Sequence, residues 1–155
     1  MANNLTVQIK SDGDCALASL VGEITEDSDF RPVLTTTGKQ LVLNLEGVQR
    51  INSTGVREWI NFINALGKNN RDVTLERCSV AIVQQLNMIA NFRGQAKVTS
   101  LFAPYFCAAC DTDRTRLLDL SQPLPDLNET LPCSVCKEPM ELDDLPESYL
   151  AFLQT

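Results

Sequence analysis

Two pairs of cysteines near the end of this 155-residue chain have the spacing of a metal site. Cys107 and Cys110 form one C-x-x-C motif, and Cys133 and Cys136 form a second after 22 intervening residues. A C-x-x-C turn presents two sulfur atoms on the same side of the chain, so both can reach one ion. Four thiolates complete a tetrahedral shell and leave no open position for water or substrate. The spacing therefore predicts a structural Zn²⁺ site.

Vicinal dithiols can also carry out redox chemistry. A redox C-x-x-C motif normally begins a helix within a βαβ unit, and neither pair has that context. Pro132 and Pro139 flank the second pair and favour a knuckle turn. We therefore favour zinc, and a thiol redox sensor that acts through zinc release stays open as an alternative. Cys15 and Cys78 stand alone, and we interpret them as ordinary buried cysteines.

Charge divides the chain at Ala103/Pro104. Residues 1–103 carry ten basic and ten acidic side chains, whereas residues 104–155 carry three basic and ten acidic ones. A four-thiolate zinc site would add a further charge of about −2. Such a segment repels phosphates, so we expect it to contact protein and neither nucleic acid nor an anionic membrane. We predict a domain at 1–103 and a zinc-ribbon-like domain at 104–155, whose terminal helix packs on the first domain or on a partner.

Histidine is absent from the chain. Its absence excludes Ser-His-Asp triads and metal catalysis that uses His ligands, and no phosphate loop or acid–base pair replaces them. We therefore predict that the protein is not an enzyme. No stretch approaches the roughly 18 apolar residues of a membrane span, and the first four residues lack the basic start and apolar core of a signal peptide. We expect a cytoplasmic protein.

Strands and helices alternate along the first hundred residues. Alternating or continuous apolar runs predict strands at residues 5–9, 15–24, 41–45, 73–76 and 97–102. Apolar residues at helical spacing predict helices at residues 28–37 and 56–66, and a third that begins after Ser79 and ends at Gly94. Helical crossovers between strands indicate an α/β protein of the α+β type, with a mixed sheet and helices packed against it.

One segment of this pattern resembles a known family. Residues 41–56 read Leu-Val-Leu-Asn-Leu-Glu-Gly-Val-Gln-Arg-Ile-Asn-Ser-Thr-Gly-Val and precede an amphipathic helix. This segment resembles the central motif of the STAS domain, named for sulfate transporters and anti-sigma-factor antagonists. The order of strands and helices, including an apolar-Gly-Glu-apolar turn at residues 20–24, extends the resemblance over roughly residues 5–103. The resemblance implies a mixed sheet with helices on one side, in a bacterial regulatory protein that binds a partner protein.

The same resemblance implies a phosphorylation site. Many members are switched by a partner serine kinase of anti-sigma-factor type, acting where the helix after the third strand begins. The corresponding residue is Ser53, with Thr54 as a less favoured neighbour, and Asn52 stands where the antagonists have Asp. A phosphate there would be stabilised by the helix N-terminus and would add charge to a partner-facing surface. A constitutive signalling scaffold without phosphorylation, with self-association, is the alternative.

The predicted partner surface includes the beginning of this helix and two further side chains. Asn52, Ser53 and Thr54 form the loop, and Arg57 follows on the polar side of the helix. Phe62 lies off the apolar stripe that contains Trp59, so we predict that Phe62 is exposed. Phe and Arg are enriched at protein interfaces, which favours this surface for partner binding.

Overall fold

The computed structural model describes residues 4–154, which form an α+β fold with two sheets. No helix in this range is long and apolar enough to cross a membrane. The strands are β1 (Leu5–Asp12), β2 (Cys15–Ile24), β3 (Gln40–Ile51), β4 (Asp72–Glu76), β5 (Lys97–Val98), β6 (Ser100–Cys107), β7 (Thr112–Asp119), β8 (Leu131–Pro132) and β9 (Pro139–Leu142). The helices are α1 (Arg31–Leu34), α2 (Ser53–Gly67), α3 (Val80–Met88) and α4 (Pro146–Tyr149), followed by a 3₁₀ helix at Ala151–Gln154.

The first sheet is mixed, as the sequence predicts. Its strand order is β1-β2-β3-β4-β5, with β1 antiparallel to β2 and the other neighbours parallel. A tight turn joins β1 to β2, and Gly13 takes a positive φ of 60° there, which glycine adopts without a steric penalty. The parallel pairs need crossover connections, and helices α1, α2 and α3 supply them.

The core lies between this sheet and the helices on one of its faces. Every second residue is buried over residues 16–20 of β2 and 41–45 of β3, and the register pairs Ala16 with Leu41 and Ala18 with Leu43. A strand alternates its side chains between two faces, so these buried residues share one face. The helical side of the core is apolar and consists of Val33, Trp59, Phe62, Ile63, Leu66, Ile82, Val83 and Leu86.

Phe62 is part of this core, and the prediction that it is exposed is wrong. Its side chain is 3% exposed, and its ring stacks on Phe30 with 4.4 Å between the centroids. Phe30 lies immediately before α1, which covers the side of α2 that the sequence pattern leaves open. Helix α2 therefore packs against both the sheet and the segment around Phe30, and it buries side chains on more than one apolar stripe. The partner surface predicted from the sequence loses this residue.

Several predicted elements differ in extent, among them the third helix, which ends at Met88 and not at Gly94. The helix predicted at 28–37 is only Arg31–Leu34, because Pro32 restricts its first turn and threonines follow it. The strand predicted at 97–102 is divided at Thr99, whose N–H donates to the carbonyl oxygen of Leu75. The chain leaves the first sheet at this residue.

Strand β6 connects the two sheets. Backbone hydrogen bonds of 3.1 Å from Cys78 N–H to Ser100 and of 2.9 Å from Phe102 N–H to Cys78 join its beginning to the end of β4. Its remainder is a central strand of the second sheet, whose order is β7-β6-β9-β8. The boundary predicted at Ala103/Pro104 therefore lies within a continuous strand, where the chain forms no linker.

The C-terminal segment packs on the first part of the chain. The Asn87 side-chain amide on α3 donates to the Tyr149 carbonyl at 2.8 Å and accepts from Phe152 N–H at 2.9 Å. The Tyr149 hydroxyl donates to the carbonyl oxygen of Phe102 on β6. The predicted terminal helix is short, because residues 139–142 form β9 instead. It packs on the first part of the same chain.

Replacement of Gly55 by alanine tests how closely α2 approaches the sheet. A methyl group at Gly55 would lie 2.6 Å from the carbonyl carbon of Ile24 and closer still to its oxygen. Because the obstacle is backbone, we expect Gly55→Ala to lower the free energy of unfolding by about 1–3 kcal/mol. Gly67→Ala, at the end of the same helix with no neighbour within 4 Å, is the matched control and should not destabilise the protein. Urea unfolding measures both, and equal values for the two variants would contradict the close approach.

Candidate metal centre

Two hairpins bring the four cysteines together. Cys107 ends β6 and Cys110 lies just before β7, so the first pair forms the turn of one hairpin. Cys133 and Cys136 form the turn between β8 and β9 in the same way. Strands β6 and β9 pair directly, with Phe106 opposite Glu141, which sets the two turns side by side. Residues separated by more than twenty positions thus meet through the pairing of two strands.

The sulfur positions match a four-coordinate site. The Sγ atoms of Cys107 and Cys136 are 3.5 Å apart, those of Cys110 and Cys133 are 3.6 Å apart, and all four lie within 4.8 Å of one another. A tetrahedral zinc site with Zn–S bonds of about 2.3 Å places its sulfurs about 3.8 Å apart, whereas a disulfide bond is about 2.0 Å long. The cysteines are free, and the cluster can hold a metal ion.

The protein environment shifts the pKa values of two of these thiols in opposite directions. Backbone N–H groups of Cys136 and Val135 lower the pKa of the Cys133 thiol to about 6. The pKa of Cys136 is raised to about 12, although the Glu138 amide opposes the rise, because desolvation and the neighbouring sulfurs disfavour a second negative charge. One thiolate forms readily and the next is disfavoured. A cation among the sulfurs would remove this repulsion, since metal binding requires the deprotonated ligands.

Two further contacts orient the sulfurs. The hydroxyl of Thr112 lies 3.1 Å from the Sγ of Cys110, and the N–H of Val135 donates to the Sγ of Cys133 at 3.4 Å. Contacts of this kind fix the direction of metal ligands and stabilise their negative charge. The sequence analysis missed Thr112, and the available signal was a hydroxyl side chain two residues after the second cysteine of the pair.

Each turn closes with a residue in the left-handed region. Asp111 has a φ of 63° and Lys137 has a φ of 70°, and each directly follows the second cysteine of its pair. Their N–H groups donate to the carbonyl oxygens of Cys107 and Cys133 at 2.8 and 3.0 Å. The left-handed residue thus closes the hydrogen bond that folds each pair into a tight turn. Neither position is a glycine, although glycine takes this conformation most easily.

The two other cysteines lie outside the cluster. Cys78 is completely buried beside β6, and burial raises the pKa of its thiol to about 12. Cys15 begins β2 and is half-buried. A neutral, inaccessible thiol is neither a good nucleophile nor a ready ligand, so Cys78 acts as a small apolar core residue.

The loop predicted as a phosphorylation site follows β3, the middle strand of the first sheet, and begins α2. Asn52 caps the helix by accepting a 2.6 Å hydrogen bond from Gly55 N–H. Ser53 is the first residue of the helix and is exposed, and its hydroxyl makes no hydrogen bond within residues 4–154. The Thr54 hydroxyl instead donates to the Glu26 carboxylate at 2.8 Å. Of the two hydroxyl groups in this loop, that of Thr54 is therefore hydrogen-bonded, and that of Ser53 is without a partner among residues 4–154.

Glu26 supplies a carboxylate that sequence analysis missed, because 26 residues separate it from Asn52. The Asn52 amide donates to the same oxygen of Glu26 that Thr54 contacts, at 3.3 Å. The Glu26 backbone amide, then the Thr54 and Asn52 side chains, lower the pKa of the Glu26 carboxyl group. An ionised carboxylate therefore lies beside the loop, although the position of Asn52 itself carries no charge.

An open cavity adjoins this loop. It has a volume of about 410 Å³ and lies where β2 and β3 end, with Arg50, Asn52, Gln84 and Gln85 among its lining residues. Arg57 is exposed on the next turn of α2. The surface around Ser53 is thus polar, and Phe62, which the sequence analysis assigned to it, is in the core instead.

Comparisons with known proteins give no match: no protein-family model fits the chain, and no curated protein is significantly similar to it.

Substitution at Lys137 tests the left-handed turn of the second pair. Lys137→Gly should leave stability unchanged or slightly higher, because glycine takes this φ without a steric penalty. Lys137→Val should lower the free energy of unfolding by about 1–2 kcal/mol, because a β-branched side chain is strained in the left-handed region. Thermal unfolding of both variants with the metal content recorded measures the difference. Valine tolerated as well as glycine would contradict the turn geometry.

Proposed function

We propose that this chain is a non-enzymatic regulatory protein of STAS type that binds a partner protein and carries a structural Zn²⁺ ion in its C-terminal ribbon. The observation that carries the zinc assignment is the convergence of four cysteine sulfurs, all within 4.8 Å of one another. Four soft thiolates in a tetrahedral set are typical of zinc, and they leave no site for a substrate. The ion joins two hairpins that have little apolar core of their own, so its binding free energy contributes to their folding.

Ser53 is the switch in this proposal. Its hydroxyl is exposed and unengaged at the beginning of a 15-residue helix, and it follows Asn52, which lines the polar cavity at the ends of β2 and β3. A phosphate there would face the free N–H groups of the helix and would add nearly two negative charges. The nearby Glu26 carboxylate makes the added charge more repulsive to an acidic partner surface. Phosphorylation would therefore weaken a partner contact without unfolding the domain, in the bacterial cytoplasm where thiolates stay reduced.

A thiol redox sensor is the second candidate, and one observation favours it. Cys110 and Cys136 are only half-buried, so a small oxidant can reach two of the four sulfurs. Oxidation to disulfides would release the ion and loosen the ribbon. A purely structural site should keep its metal under mild peroxide, whereas a sensor should release it in proportion to the thiols lost.

The metal proposal is tested by removing one ligand from each pair. Purified wild-type protein should contain about one zinc ion per chain, and Cys107→Ser/Cys133→Ser should contain almost none, because two thiolates bind zinc far more weakly than four. In the double variant, the amides of β7 to β9 should lose protection from hydrogen exchange while those of β1 to β4 keep it. Cys15→Ser removes a cysteine outside the cluster and is the control. Full zinc content in the double variant would refute the site.

The switch proposal is tested by charge at Ser53. Wild type and Ser53→Ala should retain the same partners in an affinity pull-down from native cells, and Ser53→Asp should lose at least one of them, because the new charge lies at the contact surface. Ser148→Asp adds the same charge at an exposed serine on α4 and should behave as wild type. Identical partner sets for all four proteins would end the switch hypothesis. Mass spectrometry of protein from native cells then locates the phosphate.

A further inference from the structure

A groove in the ribbon combines apolar and acidic residues. It lies beside the first cysteine turn, along the paired strands β6 and β9, and has a volume of about 360 Å³. We call it the ribbon groove and define it by Phe106, Ala108, Ala109, Glu138, Glu141 and Asp143. Pro139 and Leu142 also line it, so its apolar part is an aromatic ring with four smaller side chains, and its charged part is entirely acidic.

The centre of the ribbon groove is a pair of side chains suited to a cation. Phe106 and Glu141 are direct cross-strand partners, so the two side chains lie on the same face of the sheet. Phe106 is half-buried and Glu141 is exposed, so the carboxylate stands beside an accessible part of the ring. An aromatic face attracts an ammonium or guanidinium group, and a carboxylate next to it strengthens that attraction.

The carboxylates of the groove are unpaired. Glu138, Glu141 and Asp143 are all exposed, and within residues 4–154 none of them forms an ion pair. The only metal-ligand cluster found in that range is the four cysteines, so the three carboxylates do not converge on a single ion. The surrounding segment, residues 104–155, has a net charge of −7, which attracts a positively charged partner from a distance.

We propose that the ribbon groove binds a basic segment of a partner protein, with a Lys or Arg side chain over Phe106 and further basic groups against the three carboxylates. Alanines at the turn leave room for an aliphatic side chain of the same segment. This inference assigns a partner chemistry to the protein-binding role proposed above. It does not depend on Ser53, which begins α2 after the middle strand of the other sheet, so each hypothesis can fail without the other.

A peptide of defined composition tests this inference. The probe is a short fluorescent peptide in which arginine alternates with leucine, added to the full-length, zinc-loaded protein and followed by anisotropy. Glu138→Gln/Glu141→Gln/Asp143→Asn should weaken binding at least about tenfold, because it removes the charges that face the peptide. Ala109→Trp fills the groove without changing its charge and should weaken binding at least about fivefold. The zinc content of each variant shows that the ribbon is intact.

A matched variant separates the groove from general electrostatics. Asp126→Asn/Glu129→Gln/Glu147→Gln removes the same charge from exposed positions of the ribbon outside the groove and should weaken binding less than about threefold. A peptide with glutamine in place of arginine should not bind. Equal losses in the two triple variants, or unchanged binding with Ala109→Trp, would overturn the proposal. Analytical ultracentrifugation tests a second copy of the chain as the occupant. If the protein is a dimer, and Arg114→Ala/Arg116→Ala abolishes that dimer, the groove binds a second copy and the proposal is overturned.

Discussion

The backbone pairing of β6 is the interaction on which the second half of the molecule depends. Its beginning is hydrogen-bonded to Cys78, two residues after β4. It pairs with β7 along its whole length and with β9 near its end, and its last residue is Cys107. A short, acidic segment with few large apolar residues cannot form an extensive core of its own. It is positioned because one strand extends from the main sheet to the first sulfur. The proposed ion then fixes the second hairpin to the first.

Local sequence patterns predicted the parts of this structure that depend on residues close together in the sequence. Alternating and continuous apolar runs predicted the strands of the first sheet, and the i, i+3, i+4 pattern predicted α2 with Trp59 in the core. The four cysteines were also predictable, because each pair forms its own turn and the spacing between pairs permits the chain to return. In each case the physical cause acts within a few residues, so the sequence alone contains it.

Other features depend on contacts between distant residues, and the sequence analysis missed or misplaced them. Phe62 looked exposed because the helical pattern does not show that Phe30 packs beside it. Glu26 was missed because only the folded chain sets its carboxylate against Asn52 and Thr54. The domain boundary at Ala103/Pro104 stays a prediction, because it rests on charge composition and the structure shows only that β6 runs through this position. A strand can cross a change of composition without interruption, as β6 does.

The burial of Cys78 also determines how the folded protein reacts with thiol-alkylating reagents. Its thiol is fully buried and its pKa is raised to about 12, so alkylating reagents cannot reach or activate it while the chain is folded. The four clustered sulfurs would be protected by a bound ion and would become accessible when the ion leaves. Cys15, half-buried at the start of β2, is the remaining thiol. The count of alkylated cysteines in the native protein would thus measure metal occupancy, and labelling of Cys78 would report global unfolding.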